Sequence, residues 1–398
     1  MPLTGRKVTI LGAGIAGLAV ATALARRGAE AVVLERSDAI REVGAGLQIS
    51  PNGVAVLEAL GLGPALATHG VRARAVHLRD FRAGREVLRL DLSTGRGAYH
   101  FIHRADLIEM LADAARAAGV QIRLLHDITG VTIADGRAQL TTAQGAQAMA
   151  DLLIGADGLH SVVRGALNGM AAPDFTGQVA WRALVPATGP VAPVAQVFMG
   201  PGRHLVHYPL RGGELINIVA VEEREIWADE GWNHDDAPEN LRRAFADFGA
   251  GVPELLARVD HVNLWGLFRH PVAARWYSGP AAILGDAAHP TLPFLAQGAN
   301  MALEDAWVLA ACLERHSDTE TAFAAYQAER RPRTIRIVDM ASKNARNYHL
   351  SSPPLRALAH TALRLGGALA PGGALKRFDW VYAHDVAARY PLTAAPMP

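Results

Sequence analysis

The chain has 398 residues and is 50% hydrophobic, enough for one large core or two domains. A formal charge of +1 excludes a strongly basic surface overall and argues against nucleic acid as the main partner. The one cysteine, Cys312, excludes an internal disulfide and fits a reducing compartment. With no secretory leader pattern and no apolar run long enough for a bilayer, the sequence reads as a cytoplasmic protein outside the membrane.

Along the chain, Val8–Leu11 reads as a short buried strand, followed by a glycine turn and a helix to about Gly28. Ala31–Glu35 is a second strand and Asn52–Leu60 a further helix, so the chain opens with a βαβ unit and a parallel sheet. The spacing of Leu107, Leu111, Ala114 and Ala118 predicts a helix over 104–119, and Gln121–Leu125 a strand. Asp151–Ile154 and Ala281–Leu284 are short apolar strands that end in Gly-Ala-Asp-Gly and Gly-Asp. Between them, residues 178–223 alternate as strands, the last two joined by the hairpin signal Arg211-Gly212-Gly213. This predicts an antiparallel sheet inserted into an α/β domain. From Gly298 onward the pattern is helical, with Pro332 expected to kink or break a long helix.

Gly12-Ala13-Gly14-Ile15-Ala16-Gly17 is a complete GxGxxG between strand and helix. The first glycine permits the tight turn, the second lets backbone approach a pyrophosphate, and the third lets helix and strand pack closely. Glu35, followed by Arg36, ends the second strand where an acid accepts from an adenosine ribose hydroxyl. At this point NAD and FAD both remain open. Two later turns repeat the strand-and-acid device: Asp157-Gly158 before a helix carrying Ser161 and Arg164, and Gly285-Asp286 before Pro290. The run Pro293-Phe294-Leu295-Ala296-Gln297-Gly298-Ala299-Asn300 then opens a helix whose free amides suit negative charge, such as that of a reduced flavin.

Taken together, the three motifs resemble the flavoprotein hydroxylases, the group A flavin monooxygenases, in order and spacing over nearly the whole chain. The stretch at 44–52, Gly-Ala-Gly-Leu-Gln-Ile-Ser-Pro-Asn, and the tail at 380–386, Trp-Val-Tyr-Ala-His-Asp-Val, are similar to the salicylate, 3-hydroxybenzoate and 6-hydroxynicotinate hydroxylases. The resemblance implies a Rossmann-like FAD domain of the para-hydroxybenzoate hydroxylase type, with an inserted antiparallel substrate sheet and C-terminal helices. The expected division is 1–75, 98–177 and 277–345 for the FAD domain, 76–97 and 178–276 for the substrate domain, and 346–398 for a helical tail. It also implies FAD contacts from Glu35, from Arg104 on the flavin side and from Asp286 at the ribitol and pyrophosphate. Asp157 would serve both FAD and a transient NADH or NADPH, for which there is no second glycine turn. Pro293, Gly298, Ala299 and Asn300 would lie by the flavin ring.

Hydroxylation of this kind requires a flavin hydroperoxide formed with O2, a dry pocket, and a base for a substrate hydroxyl. In strand Arg203–Pro209, residues 204, 206 and 208 share one face, and His207 points to the other. By resemblance, His204 and Tyr208 line the substrate site and Gln297 touches substrate, with Pro293 and Leu295 as the apolar wall. His289 is expected to cap or pack its turn. The histidines show no metal-ligand spacing, so no metal is expected. Arg182 and Arg211 are candidate carboxylate partners. The implied substrate is a small aromatic acid, hydroxylated with or without loss of carbon dioxide, by a monomer or homodimer. The alternatives are a larger polycyclic substrate and a flavin redox sensor without catalysis. A plain NAD dehydrogenase leaves the Asp-Gly and Gly-Asp turns unexplained.

Overall fold

A computed structural model describes residues 3–40, 45–94, 97–169, 172–225, 234–370 and 372–392. Gly44, which opens the 44–52 stretch, lies outside the described residues.

The first sheet runs, edge to edge, Tyr277–Ser278, Ala281–Ile283, Leu153–Gly155, Lys7–Leu11, Glu30–Leu34 and Gln121–Arg123. All its pairings are parallel except the first. Its central strands are apolar on both faces, as helices on both sides require: Val8, Ile10, Val33, Leu153, Ile154 and Ile283 are buried. Helix Ile15–Ala25 packs on helices Gly298–Arg315 and Arg104–Ala117. Buried Ala19, Ala21 and Ala23 let these helices approach closely.

The second sheet has eight strands: His234–Asp236, Val262–Arg269, Asp174–Pro186, Leu215–Glu223, Arg203–Leu210, Val194–Gly200, Ala75–Asp80 and Glu86–Asp91. It is antiparallel except where Ala75–Asp80 joins Val194–Gly200 in parallel, because that strand arrives from the first domain and not through a hairpin. Alternation splits its residues between two faces. Trp181, Phe198, Leu205 and Ile218 pack outward under Phe245 and Phe248. Ala180, Val221 and Trp265 turn the other way, onto Leu292 and Phe294, and Tyr208 onto Phe101. That inner face looks onto the parallel-sheet domain.

Pro332 does not break its helix, which runs uninterrupted over Thr319–Tyr348. The ring costs one helical hydrogen bond, to the Ala328 carbonyl. Ion pairs on either side hold the helix in register: Arg330 meets Glu304 at 2.5 Å and Asp305 at 2.7 Å, and Arg333 meets Glu304 at 2.8 Å, all on the adjacent helix. The tail docks on the same helices. Arg333 donates to the carbonyls of Trp380 and Val381, Trp307 Nε1 donates to the Tyr390 carbonyl, and Val386 is buried in the main core.

Candidate active site

The glycine turn is shaped by two different constraints. A Cβ on Gly12 (φ +97°) would lie 2.6 Å from the Ala156 carbonyl oxygen, and one on Gly17 would collide with the Gly12 carbonyl, so packing alone demands both. Gly14 has an ordinary φ of −79° and open space where a Cβ would stand. Protein packing does not call for a glycine there; close approach of a ligand does. Between them, Ala13 and Ile15 are buried while Ala16 stays half-buried. The Glu35 carboxylate accepts from the Ala13 amide at 2.7 Å and the Ser37 amide at 3.0 Å, which fixes it at the strand end with lone pairs to spare. Arg36 is exposed beside it.

Asp157 caps the helix that follows it: its carboxylate accepts from Ser161 Oγ and from the Val162 amide at 2.8 Å. Burial raises its pKa, and those hydrogen bonds oppose the rise. Arg164 on that helix donates to the Ala287 carbonyl at 3.2 Å and the Pro271 carbonyl at 2.6 Å, tying the Asp-Gly turn to the Gly-Asp turn. Asp286 is exposed within an otherwise buried run from Ala281 to Pro290. Its turn is anchored from below. His289 Nε2 hydrogen-bonds the Asp305 carboxylate, which also accepts from the Gly285 amide at 3.1 Å. Burial alone would raise the pKa of Asp305, but the charges of His289 and Arg330 hold it at about 2. His289 thus secures the turn, as its position suggested.

The helix start at Gly298 is held by buried amides. Gln297, 1% exposed, accepts from Asn52 Nδ2 at 3.1 Å and donates to Ser50 Oγ at 2.9 Å. Asn300 accepts from the Ser50 amide at 3.0 Å and donates to the Gln48 and Ala296 carbonyls at 3.0 and 2.8 Å. Both side chains are committed to protein partners, so the groups open to a ligand here are the unpaired backbone amides of the first turn. Pro293, Gly298 and Ala299 remain half-buried at this edge, while Ala296 takes a left-handed φ of +51°.

Three residues of the second sheet surround an apolar floor. Register sets Arg182 opposite Val219 and Val219 opposite Val206, with His204 and Tyr208 flanking Val206 on the same face. Four residues of strand put about 13 Å between the Cα atoms of His204 and Tyr208. Val206 and Val219 are only partly buried, which leaves an apolar surface open between the polar groups. Tyr208 is buried; its hydroxyl bonds Gln48, its ring lies 4.9 Å from Phe101, and desolvation pushes its pKa up. Gly46 gives it room, since a Cβ there would sit 2.6 Å from the Tyr208 ring.

Arg182 stacks on Trp265 with 4.3 Å to the ring centroid, and its Nε meets no partner among the described residues. Desolvation, with the charge of Arg104 behind it, lowers its pKa to about 10. Arg104 is itself half-buried, its pKa lowered by desolvation, with Asp286 as its opposing charge. Arg211 is instead exposed on the surface, paired with Asp106 at 2.6 Å. His204, 2% exposed, lies between Phe294 and Tyr348 with centroids at 5.5 and 5.2 Å. Burial depresses its pKa well below the usual range, so the ring is neutral in the ligand-free protein. Its Nδ1 is 2.6 Å from Nε2 of His349. His207 turns to the outer face and stacks on Phe198 at 5.9 Å.

Sequence reasoning missed Gln48, Asn217 and His349 as site residues. Asn217 accepts from the Gly46 amide at 2.7 Å, and His349 arrives from a helix end some 145 positions away. No local pattern marks either one. The Glu304–Asp305–Arg330–Arg333 cluster did leave a signal, two adjacent acids and paired arginines within helical runs, but such runs usually lie in solvent. Among the described residues, no group of three His, Cys, Asp or Glu could hold a metal ion.

The site fits FAD: open space over Gly14, an anchored acid at Glu35, an exposed Asp286 above a rigid turn, and free amides at Gly298. Fold and site together belong to the flavoproteins that hydroxylate aromatic rings. The chain is a member of the FAD binding domain family, whose model matches residues 6–341. Over 358 residues it is 38% identical to a 3-amino-4-hydroxybenzoate 2-monooxygenase of Streptomyces cremeus, covering 87% of this chain and 89% of that protein. It is 34% identical to a 3-hydroxybenzoate 6-hydroxylase of Klebsiella oxytoca, covering 86% and 89%. Among solved structures, a salicylate hydroxylase in a substrate complex matches with a TM-score of 0.81 and 25% identity over 99% of each chain. HpxO of Klebsiella pneumoniae, complexed with FAD and uric acid, matches with a TM-score of 0.79 and 29% identity over 92% of this chain and 94% of that one. The protein is an FAD-dependent aromatic monooxygenase.

Proposed function

We propose that the chain hydroxylates a small aromatic acid bearing a ring hydroxyl, a hydroxybenzoate of the 3-amino-4-hydroxybenzoate kind, at the expense of NADH or NADPH. The observation that carries this reading is the half-buried Arg182, its Nε enclosed and unpaired, over an apolar floor of Val206 and Val219, between Tyr208 and His204. A half-buried cation with an unpaired N–H and a second arginine nearby is costly until an anion joins it. A carboxylate is the planar anion that matches its fork. The Streptomyces cremeus and Klebsiella oxytoca relatives are named for hydroxybenzoates, in keeping with this choice.

FAD, when bound, supplies the activated oxygen that is transferred to the ring. The chain's own residues do the rest. Arg182 holds the carboxylate, and Tyr208 orients the ring from the far end of the strand. His204 accepts the phenol proton at Nε2, raising the electron density of the ring for attack. Phe294, Leu295 and Pro293 form the apolar wall that excludes water. Gln297 and Asn300 act as positioning residues, fixing the helix start whose amides face the cofactor. Asp157 holds its own turn, and Arg164 couples that turn to Asp286.

The test is NADH and NADPH oxidation by FAD-loaded protein against hydroxybenzoates, aminohydroxybenzoates and hydroxynicotinates, with products weighed by mass spectrometry. Stimulated oxidation with a product one oxygen heavier, or one oxygen heavier and lacking carbon dioxide, is the expected result. Oxidation that no aromatic acid stimulates overturns the reading.

A further inference from the structure

The buried His204 is the inner end of a hydrogen-bonded chain that reaches the surface. His204 Nδ1 meets His349 Nε2 at 2.6 Å, and His349 Nδ1 meets Glu223 Oε1 at 2.9 Å. His204 and His349 are 2% and 4% exposed, whereas the Glu223 side chain is 49% exposed. His349 is fixed in place by its own backbone: its carbonyl accepts from the Gly202 amide and from Ser351 Oγ, both at 3.2 Å.

A second contact gives His349 two satisfied states. Gln178 Nε2 lies 3.4 Å from the same Nδ1 that faces Glu223. With a proton on Nδ1, His349 donates to the carboxylate. Without it, the bare nitrogen accepts from the Gln178 amide. A ring that only packed would need one of these partners, not both. Among the described residues, the titratable groups facing His204 are His349 and Tyr348, and the one facing His349 from the sheet is Glu223.

We infer that His204, His349 and Glu223 form a proton relay between the substrate hydroxyl and solvent. The inference rests on His204 being the base. The phenol proton passes to His204 Nε2 as the Nδ1 proton moves to His349 Nε2 and the His349 Nδ1 proton moves to Glu223. One proton enters and one leaves, and Glu223 releases it to water. When the product oxygen is protonated for release, the same three transfers run inward and restore both rings. His349 is a positioning and relay residue, since it acts through His204.

The experiment uses FAD-loaded protein with 3-amino-4-hydroxybenzoate and follows phenolate absorbance after a pH jump, with no turnover required. His349→Gln, which keeps hydrogen bonding but passes no proton, is expected to slow ionisation about 100-fold without weakening binding. His349→Phe is expected to do the same, and Glu223→Gln to slow it less, with recovery at high concentrations of a small buffer. Ionisation at the wild-type rate in both His349 variants overturns the relay. If His204→Gln still ionises the ligand, or the ligand does not bind, the reading of His204 as base for this substrate fails instead. In ligand-free holoenzyme, nitrogen NMR is expected to show scalar coupling across the His204–His349 hydrogen bond. Its absence also overturns the relay.

Discussion

The Ala13 amide donates to the Glu35 carboxylate at 2.7 Å, so the acid that would meet the adenosine ribose is also the group that fixes the glycine turn. Glu35→Ala removes both functions. Losing one charge-assisted hydrogen bond of this kind weakens FAD binding by about 10- to 100-fold. Flavin absorbance after gel filtration measures it, and a variant that keeps a full complement of FAD removes Glu35 from the cofactor site.

Arg182 stands between stability and binding. Replacing it with Met deletes a half-buried cation with an enclosed, unpaired Nε and Arg104 for a neighbour, so the ligand-free protein should melt at the same temperature or higher. Affinity for the aromatic acid should fall by roughly 10-fold or more, the worth of a charge-assisted pair. Thermal shift with and without ligand reads both effects. A fall in melting temperature with unchanged affinity assigns Arg182 to packing alone.

Arg330 pairs with Glu304 and Asp305 at 2.5 and 2.7 Å, all with side chains fully buried. Arg330→Leu leaves two buried carboxylates short of a cation, at a cost of about 3–5 kcal/mol. Because Asp305 also accepts from the Gly285 amide, flavin retention should fall along with stability. Urea unfolding and flavin content are the two readouts; loss of stability with normal retention would separate this cluster from the cofactor turn.

Acid should destabilise the protein earlier than carboxylate titration alone would. Desolvation, aided by the charge of Arg79, lowers the His207 pKa to about 4, and burial lowers those of His204, His100 and His103 too. A histidine depressed on folding contributes nothing above its unfolded pKa of about 6.5 and destabilises as pH falls from there toward its folded value. The melting temperature should therefore be level above about pH 7 and decline between about 6.5 and 4. His207→Phe, which keeps the stacking on Phe198, should shallow that decline, recovering about 3 kcal/mol at most near pH 4. An unchanged slope in the variant would place the titrating groups elsewhere.

The glycine turn and its strand-end acid were legible because their geometry is local. Gly12, Gly14, Gly17 and Glu35 lie within one βαβ unit, where turn geometry and strand length set the distances between them. Asp157 and Asp286 were legible as strand-end acids, but the sequence could not distinguish their settings. Asp157 is enclosed by the helix it caps, whereas Asp286 stands exposed over a turn held by His289 and Asp305. At Pro332 the break half of the expectation fails for a related reason: a helix break is predicted from one lost hydrogen bond, and the ion pairs that flank it come from another helix.

By itself, the sequence determined the parallel sheet, the glycine turn, the inserted sheet and the face shared by His204 and Tyr208, since periodicity and turn chemistry act over a few residues. Only the tertiary structure decided that Gln297 and Asn300 are taken up by Ser50, Asn52 and Gln48, that the Arg182 Nε is enclosed without a partner, and that His349 meets His204. Those outcomes depend on which distant side chains desolvate or satisfy a polar group, and chain separations such as the 145 residues from His204 to His349 leave no periodic trace to read.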